Sequence, residues 1–114
     1  MTTVFGKIVR GELPCQKVFE NDRILAFKDI APKAPVHILI IPKKEIPNFQ
    51  SVSLEDMPLV TEMLIIAQQI AKELGIDKGY RLLTNNGKGG GQVVDHLHFH
   101  LLGGKTLQTH IDLG

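Results

Sequence analysis

The C-terminal part of the chain contains the stretch Asp95-His96-Leu97-His98-Phe99-His100-Leu101-Leu102. Three of the five histidines of the protein occur here, at every second position. Alternation of polar and apolar residues is the period of a β-strand, in which successive side chains point to opposite faces. The pattern therefore predicts a final strand over 93–102, with the three histidines on one face and the apolar residues between them on the other.

The three histidines start about 6.6 Å apart along such a strand, because each residue adds about 3.3 Å. Imidazoles at that spacing can surround one metal ion, since neutral imidazole is the commonest protein ligand for metals. They can equally serve phosphoryl or nucleotidyl transfer, in which one imidazole attacks phosphorus and its neighbours donate hydrogen bonds to the phosphate oxygens. The histidine pattern alone leaves both chemistries open.

A glycine-rich loop leads directly into the histidine strand. Residues 85–92 read Asn-Asn-Gly-Lys-Gly-Gly-Gly-Gln, and glycines expose backbone N–H groups and accept positive φ, which favours anion-binding concavities. The loop lacks the GxxxxGK[ST] pattern, so by itself it is equally consistent with a mobile hairpin connection. Beside three histidines it favours a phosphate over a bare metal ion.

The composition is typical of one globular domain. The chain has 114 residues, 43% of them hydrophobic, and a formal net charge of +1, which argues against a dedicated nucleic-acid binder. No stretch approaches the roughly 18 apolar residues that span a bilayer, and we expect no signal peptide. The single cysteine, Cys15, excludes an intramolecular disulfide. We therefore expect one domain over 1–114, in the cytoplasm, that contacts neither nucleic acid nor membrane.

The rest of the chain combines short strands with two helices. Val4–Arg10 is predicted as a short helix with Thr3 as its N-cap. A long amphipathic helix is expected to begin near Met57 and to end at Gly75. Strands are expected over 17–20, 23–28, 36–41 and 79–84. This order indicates an α+β domain with a mainly antiparallel sheet.

Two further polar residues occupy positions from which they can join the histidines. His37 interrupts an apolar strand, and it can orient a triad imidazole if that strand neighbours the final one. Asp29 follows another strand and can accept both hydroxyls of a ribose. An apolar slot for a base could be lined by Phe5, Ile8, Leu13, Phe27 and Ile30. Without the three histidines, all of these would be ordinary turn and core positions.

These residues match an ordered set of family motifs. His96-Leu97-His98-Phe99-His100-Leu101-Leu102 has the HφHφHφφ pattern of the histidine triad (HIT) superfamily, where φ is apolar. The chain also resembles the Hint branch, the histidine triad nucleotide-binding proteins, from about Val4 to Lys105. The other segments that carry this resemblance are Phe5-Gly6-Lys7-Ile8, Asp22–Ile30, Ala34-Pro35-Val36-His37, Ile41-Pro42-Lys43-Lys44, Gly79-Tyr80-Arg81, Asn85, Gly90-Gly91-Gln92 and Leu102-Gly103-Gly104.

The resemblance implies a fold and an assembly. It implies a HIT-like fold, with a five-stranded sheet, one long and one short helix, a core over about 4–105 and a C-terminal tail over 106–114. It also implies a homodimer joined through the long helix and the final strands, in which the sheet continues across both subunits.

The resemblance further implies hydrolysis of nucleoside 5′-phosphoramidates, chiefly purine ones such as AMP-lysine or AMP-NH2, without a cofactor or metal. His98 matches the nucleophile that forms a nucleotidyl-histidine intermediate. His96 and His100 match the flanking histidines of the phosphate site, and His37 matches the fourth histidine. The matching nucleotide-binding positions are Phe5, Ile8, Phe27, Lys28 and Ile30 for the base, Asp29 for the ribose, and Asn85, Gly91, Gln92 and Val94, with His98 and His100, for the phosphate side.

The chain departs from the Hint pattern at Val93, where a serine is common, and at Asp95, where an aromatic residue is common. Both positions bear on leaving-group handling and turnover. The cysteines that zinc-bearing members carry near the N-terminus are missing, which favours phosphate over metal. Three alternatives stay open: a non-catalytic nucleotide-binding regulatory module, a dinucleoside polyphosphate hydrolase and a tris-histidine metalloenzyme.

Overall fold

The computed structural model describes residues 2–109, which form one five-stranded sheet and two helices. The strands are β1 (Lys17–Glu20), β2 (Ile24–Lys28), β3 (Val36–Pro42), β4 (Tyr80–Leu83) and β5 (Phe99–Gly103), and the helices are α1 (Val4–Val9) and α2 (Met57–Glu73). The strand order is β1-β2-β3-β5-β4, and all neighbours are antiparallel. The predicted α+β architecture is confirmed. The end of the predicted tail, 110–114, lies outside the described residues.

α2 covers one face of the sheet and forms the larger core. It begins at Met57, and Pro58 occupies its first turn, where the missing N–H of proline is not needed. The helix residues that face the sheet are Val60, Met63, Ile66, Ala67, Ile70 and Ala71. They belong to one buried cluster with Ile24, Ala26, Ile38, Ile40, Phe99 and Leu101 of the sheet. Neither of the two described helices has the length and hydropathy that a membrane crossing needs.

The opposite face of the sheet carries a smaller core under α1. Thr3 caps α1 by accepting a hydrogen bond from the backbone N–H of Gly6 at 3.1 Å. Phe5 of α1 meets Phe27 edge to face, with ring centroids 5.6 Å apart. The other buried members of this cluster are Leu25, Leu39 and Ile41. β3 therefore contributes to both cores, with Ile38 and Ile40 in the larger one and Leu39 and Ile41 in the smaller one.

The predicted final strand over 93–102 is wrong in its first half, because β5 begins only at Phe99. Before that point the backbone N–H of His96 donates to the Val94 carbonyl at 2.9 Å. The N–H of Leu97 donates to the carbonyl of Ile46, in the loop after β3, at 2.7 Å. These bonds fold 94–96 into a turn and tie it to that loop, so a strand ladder does not form here.

The predicted alternation of faces nevertheless holds through the irregular segment. Leu97 and Leu101 are buried in the larger core beneath α2. His98 lies on the other face, where its ring meets Phe5 edge to face at a centroid distance of 5.0 Å. The histidine site therefore lies on the α1 side of the sheet.

Candidate active site

Three imidazoles form a row across β3 and β5. The ring centroids of His98 and His100 are 5.0 Å apart, and those of His100 and His37 are 5.2 Å apart. His37 reaches the row because β3 pairs with β5, and its Nε2 lies 2.9 Å from Nδ1 of His100. The structure thus brings His37 to a triad histidine, as the sequence predicts for neighbouring strands.

Hydrogen bonds determine which nitrogen of His37 carries its proton. The backbone N–H of Lys33 donates to Nδ1 of His37 at 3.0 Å, so this nitrogen is an acceptor and carries no proton. In the neutral ring the proton is then on Nε2, which donates to Nδ1 of His100. His100 therefore also carries its proton on Nε2, from which it can donate to a bound phosphate.

His98 adopts the opposite tautomer. Its Nδ1 lies 2.7 Å from the backbone carbonyl oxygen of His96. A carbonyl oxygen only accepts, so Nδ1 of His98 is protonated and Nε2 holds the lone pair of the neutral ring. An unprotonated imidazole nitrogen is a nucleophile. The backbone carbonyl of His96 thus fixes the tautomer in which Nε2 of His98 can act as a nucleophile.

His96 lies behind the row and not in it. Its side chain is only 1% exposed, and its Nε2 donates to the carbonyl of Pro42 at 2.7 Å. The ring also meets Phe5 edge to face. Because this N–H is used by a carbonyl, it is not available to a phosphate. His96 instead ties the turn before β5 to the end of β3.

Burial keeps the histidines neutral near pH 7. Desolvation lowers the pKa of His37, His96 and His98 below the ordinary value of 6.5, because a charged imidazolium is poorly solvated in the protein. The pKa of His100 falls to about 4, through desolvation first and then through the neighbouring His98 and His37. The hydrogen-bond donors of the row at neutral pH are therefore neutral N–H groups.

Asp29 borders the row at the end of β2. Its Oδ1 accepts a hydrogen bond from the N–H of Ala31 at 2.8 Å, and its Oδ2 lies 3.4 Å from Nε2 of His37. The contact with His37 is not an ion pair at neutral pH, because desolvation outweighs the attraction of Asp29 and lowers the pKa of His37. The side chain of Asp29 stays 20% exposed, so a ligand can reach it.

Asp29 and the two histidines of the relay lie close enough together for a metal ion to be considered. Asp29, His37 and His100 each offer one ligand atom, all within 4.8 Å of one another. A metal on Nε2 of His37 would require the proton of that ring to move to Nδ1. Nδ1 faces the N–H of Lys33, so two donors would then oppose each other. This donor set fits a hydrogen-bonded relay better than a metal.

The glycine-rich loop closes on itself. The N–H groups of Gly90 and Gln92 both donate to the carbonyl of Gly87, and the N–H of Gly91 donates to that of Lys88. The N–H of Gly87 donates to the side-chain oxygen of Gln92. Gly91 has φ of 89°, a conformation that favours glycine. These four N–H groups are used inside the loop, so they do not form the expected phosphate cradle.

The remaining predicted binding residues differ in exposure. Phe5 and Phe27 are buried in the smaller core, with Ile8 and Val94 packed against it. Lys28 and Ile30 are exposed, Ile30 at 99%. Asn85 is half-buried, and its side chain lies beside Gly91: a Cβ added to that glycine would be 4.0 Å from the Asn85 amide nitrogen. Val93 is 91% exposed. Among the predicted base-pocket residues, the ring of Phe5 lies against His98.

Sequence reasoning missed the backbone groups that orient the rings. The N–H of Lys33 and the carbonyls of Pro42 and His96 each contact one histidine ring. Backbone groups have no residue signature, so the sequence offers no signal for them.

Comparison with known proteins identifies the family. The HIT domain model matches residues 10–107. The chain belongs to the HIT domain family. Among relatives of this HIT domain, a HIT-like protein of Chlamydia pneumoniae is 54% identical over 105 residues, which are 92% of this chain and 96% of the relative. A HIT-like protein of Synechococcus elongatus is 50% identical over 105 residues, 92% of each chain.

Solved HIT structures share the fold. A HIT family hydrolase from Legionella pneumophila superposes with a TM-score of 0.92 at 47% identity, covering 95% of this chain and 97% of the other. A histidine triad nucleotide-binding protein from Candida albicans superposes with a TM-score of 0.81 at 32% identity, covering 98% and 87%. The predicted HIT-like fold is confirmed.

The hydrogen bonds predict a specific pattern of ring protonation. We expect His98 to carry its proton on Nδ1, and the other three rings, those of His37, His96 and His100, to carry it on Nε2. Each hydrogen-bond partner allows only one of the two tautomers of a neutral ring. Long-range 1H–15N correlation spectra of protein labelled with 15N-histidine, near pH 7.5, distinguish the two tautomers. Single His→Gln variants assign the signals. A His98 ring protonated on Nε2 would contradict the assignment.

Proposed function

We propose that this HIT protein is a hydrolase of the Hint branch that cleaves the P–N bond of purine nucleoside 5′-phosphoramidates, with His98 as the nucleophile. The observation that carries the proposal is the free lone pair on Nε2 of His98, which the bond from its Nδ1–H to the His96 carbonyl maintains. Relatives described as a hydrolase and as a nucleotide-binding protein support the reaction class.

The first step transfers the nucleotidyl group to the enzyme. Nε2 of His98 attacks the α-phosphorus, and a P–Nε2 bond forms while the P–N bond to the amine breaks. The amine leaves with the electron pair of that bond and takes up one proton. The His98 ring becomes positively charged, and the His96 carbonyl, still bonded to Nδ1–H, stabilises this charge.

The second step is hydrolysis of the nucleotidyl-histidine. Water attacks phosphorus, the P–Nε2 bond breaks and its electron pair returns to His98. The water gives up one proton, which balances the proton taken by the amine. The products are a nucleoside monophosphate and a free amine, and His98 regains its starting tautomer.

His100 and His37 form a relay of neutral donors beside the reacting atoms. The Nε2–H of His37 bonds to Nδ1 of His100, which orients the Nε2–H of His100 and strengthens it as a donor to a phosphate oxygen. Because both rings are neutral, the same site can hold a neutral nucleophile and N–H donors at one pH.

The nucleotide would lie along the α1 side of the row. Asp29 would accept the ribose hydroxyls, since its carboxyl group is accessible beside His37. The base would lie against the edge of the smaller core at Phe5, Ile8 and Phe27, with Lys28 and Ile30 at the rim. The residues proposed for the phosphate side are Asn85, Gly91, Gln92 and Val94. Of these, Gln92 acts through the backbone, as argued below.

Trapping the intermediate tests the proposed nucleophile. Rapid quenching of the wild-type protein with an adenosine phosphoramidate, followed by intact-mass and peptide analysis, should show a nucleotidyl adduct on His98. His98→Ala should lower turnover by at least roughly 1,000-fold, because no other group replaces the nucleophile, while it keeps nucleotide binding. Glu55→Ala, at an exposed position outside the histidine row, is the control and should turn over normally.

An adduct on another residue, or near-normal turnover by His98→Ala, would rule out this mechanism. Nucleotide binding without turnover by the wild type would favour the regulatory module. Faster cleavage of dinucleoside polyphosphates than of phosphoramidates in the same assay would favour the polyphosphate hydrolase.

The lowered pKa of His98 predicts the pH profile of hydrolysis. Attack needs the neutral ring, so kcat/KM should fall as the pH drops and His98 takes up a proton, with a midpoint below the ordinary histidine value of 6.5. The profile is measured with a stable buffer series, and the uncatalysed rate is subtracted at each pH. An increase in kcat/KM from pH 7 to pH 5 would be incompatible with a neutral nucleophile.

We further propose that the protein is a cytoplasmic homodimer joined along β4 and α2. Among residues 2–109, β4 is an edge strand with one neighbour. Tyr80 on β4 and Leu64 and Ile65 on α2 are at least 36% exposed. A cavity of about 690 Å³ lies at this edge, lined in part by Tyr80 and Arg81 and by none of the four histidines that the structure describes. Apolar surface beside an unpaired edge favours association with a second copy.

Sedimentation velocity tests the dimer. The wild type should sediment as a species of twice the 12.6 kDa chain mass, and Ile65→Glu should shift it to the monomer, because a charge would be buried at the contact. Leu54→Glu, 90% exposed outside α2, is the matched control and should stay dimeric. A monomeric wild type at micromolar concentration would contradict the proposal.

A further inference from the structure

Gln92 is a buried polar residue, 7% exposed, at the end of the glycine-rich loop. Its Oε1 accepts from the N–H of Gly87 at 2.7 Å. Its Nε2 donates to the carbonyl of Pro47 at 2.7 Å and to that of Val94 at 2.8 Å. One amide therefore joins the glycine-rich loop, the loop after β3 and the turn before β5. Both of its N–H groups are used, so neither remains for a phosphate.

The bonds of Gln92 continue to the ring of His98. The Val94 carbonyl that accepts from Gln92 also accepts from the backbone N–H of His96. The carbonyl of His96 in turn accepts from Nδ1–H of His98. The position of the His96 carbonyl therefore depends on the turn that Gln92 holds. Because no strand ladder is present at 94–98, these bonds take its place in fixing the backbone.

We propose that Gln92 is a positioning residue that keeps His98 in its Nδ1-protonated tautomer by fixing the turn at 94–96. The inference rests on the proposed role of His98 as the nucleophile and deepens it. Gln92 acts through the backbone and does not contact the nucleotide, so it affects the chemical step more than nucleotide affinity. This role differs from the phosphate contact that the family resemblance implies for Gln92.

Two substitutions at Gln92 separate these roles. Gln92→Met keeps the length of the side chain and removes both N–H groups. Gln92→Glu keeps an acceptor for Gly87 but turns a carboxyl oxygen toward the carbonyls of Pro47 and Val94, which repel it. Either change leaves the Pro47 carbonyl without its buried donor, so the turn relaxes.

The experiment combines ring NMR with kinetics. In both variants we expect a growing share of the Nε2-protonated tautomer of His98, measured without substrate by the 15N ring spectra. We expect kcat to fall by about 10- to 100-fold, as for other groups that orient an active ring, while the Kd for AMP changes by less than about twofold. If Gln92→Met does not fold, Gln92→Glu provides the same readouts.

Two controls exclude trivial causes. Gln16→Met makes the same substitution at an exposed glutamine. Val60→Ala weakens the core under α2, where Val60 is 6% exposed, without touching the loop. Neither should change the tautomer of His98. An equal shift in Val60→Ala would overturn the proposal, because the effect would then follow general stability.

The other outcomes are equally decisive. If the Gln92 variants kept the wild-type tautomer of His98 and bound AMP more weakly, Gln92 would contact the nucleotide directly and the positioning role would be wrong. A shifted tautomer would support it even in a protein that hydrolyses no phosphoramidate, since the NMR readout needs no turnover. Failure of the proposed reaction and failure of the positioning role are thus distinguishable.

Discussion

The hydrogen bond from Nδ1–H of His98 to the carbonyl of His96 determines what this site can do. Without it the ring could carry its proton on either nitrogen, and the lone pair that the proposed mechanism needs would be on Nε2 only part of the time. The bond requires a carbonyl free to accept, and strand carbonyls are commonly used by the neighbouring strand. The interruption of the strand before Phe99 leaves the His96 carbonyl outside the ladder, where it accepts from the His98 ring.

Burial and hydrogen bonding act together on the charge of the row. Desolvation lowers the pKa of His37, His98 and His100, and the nearby Asp29 does not reverse this. With neutral rings, each hydrogen bond specifies one donor and one acceptor, so the relay runs in one direction from Lys33 through His37 to His100. Charged rings would donate from both nitrogens and lose this order.

Side-chain patterns predicted the fold and the set of histidines, because periodicity reports which face each residue occupies. The alternation around His98 correctly predicted its face, and the role expected for His37 depended on a pairing of β3 with β5 that only the structure shows. The patterns failed at 93–98, where backbone bonds to a loop far away in sequence replace a ladder. They also did not predict that four N–H groups of the glycine-rich loop donate to oxygen atoms of the loop itself. Such pairings depend on the path of the backbone, which no residue type at those positions encodes.

The end of β3 and the loop after it hold the segment that carries the proposed nucleophile. Within six residues the carbonyls of Pro42, Ile46 and Pro47 accept from the His96 ring, the Leu97 N–H and the Gln92 amide. β3 also carries His37, so one strand and its following loop orient both His98 and His100. All three acceptors are backbone oxygens, and substitutions over 42–47 leave them in place. Two of the three donors are side chains, those of His96 and Gln92, so sequence changes there disturb the site most directly.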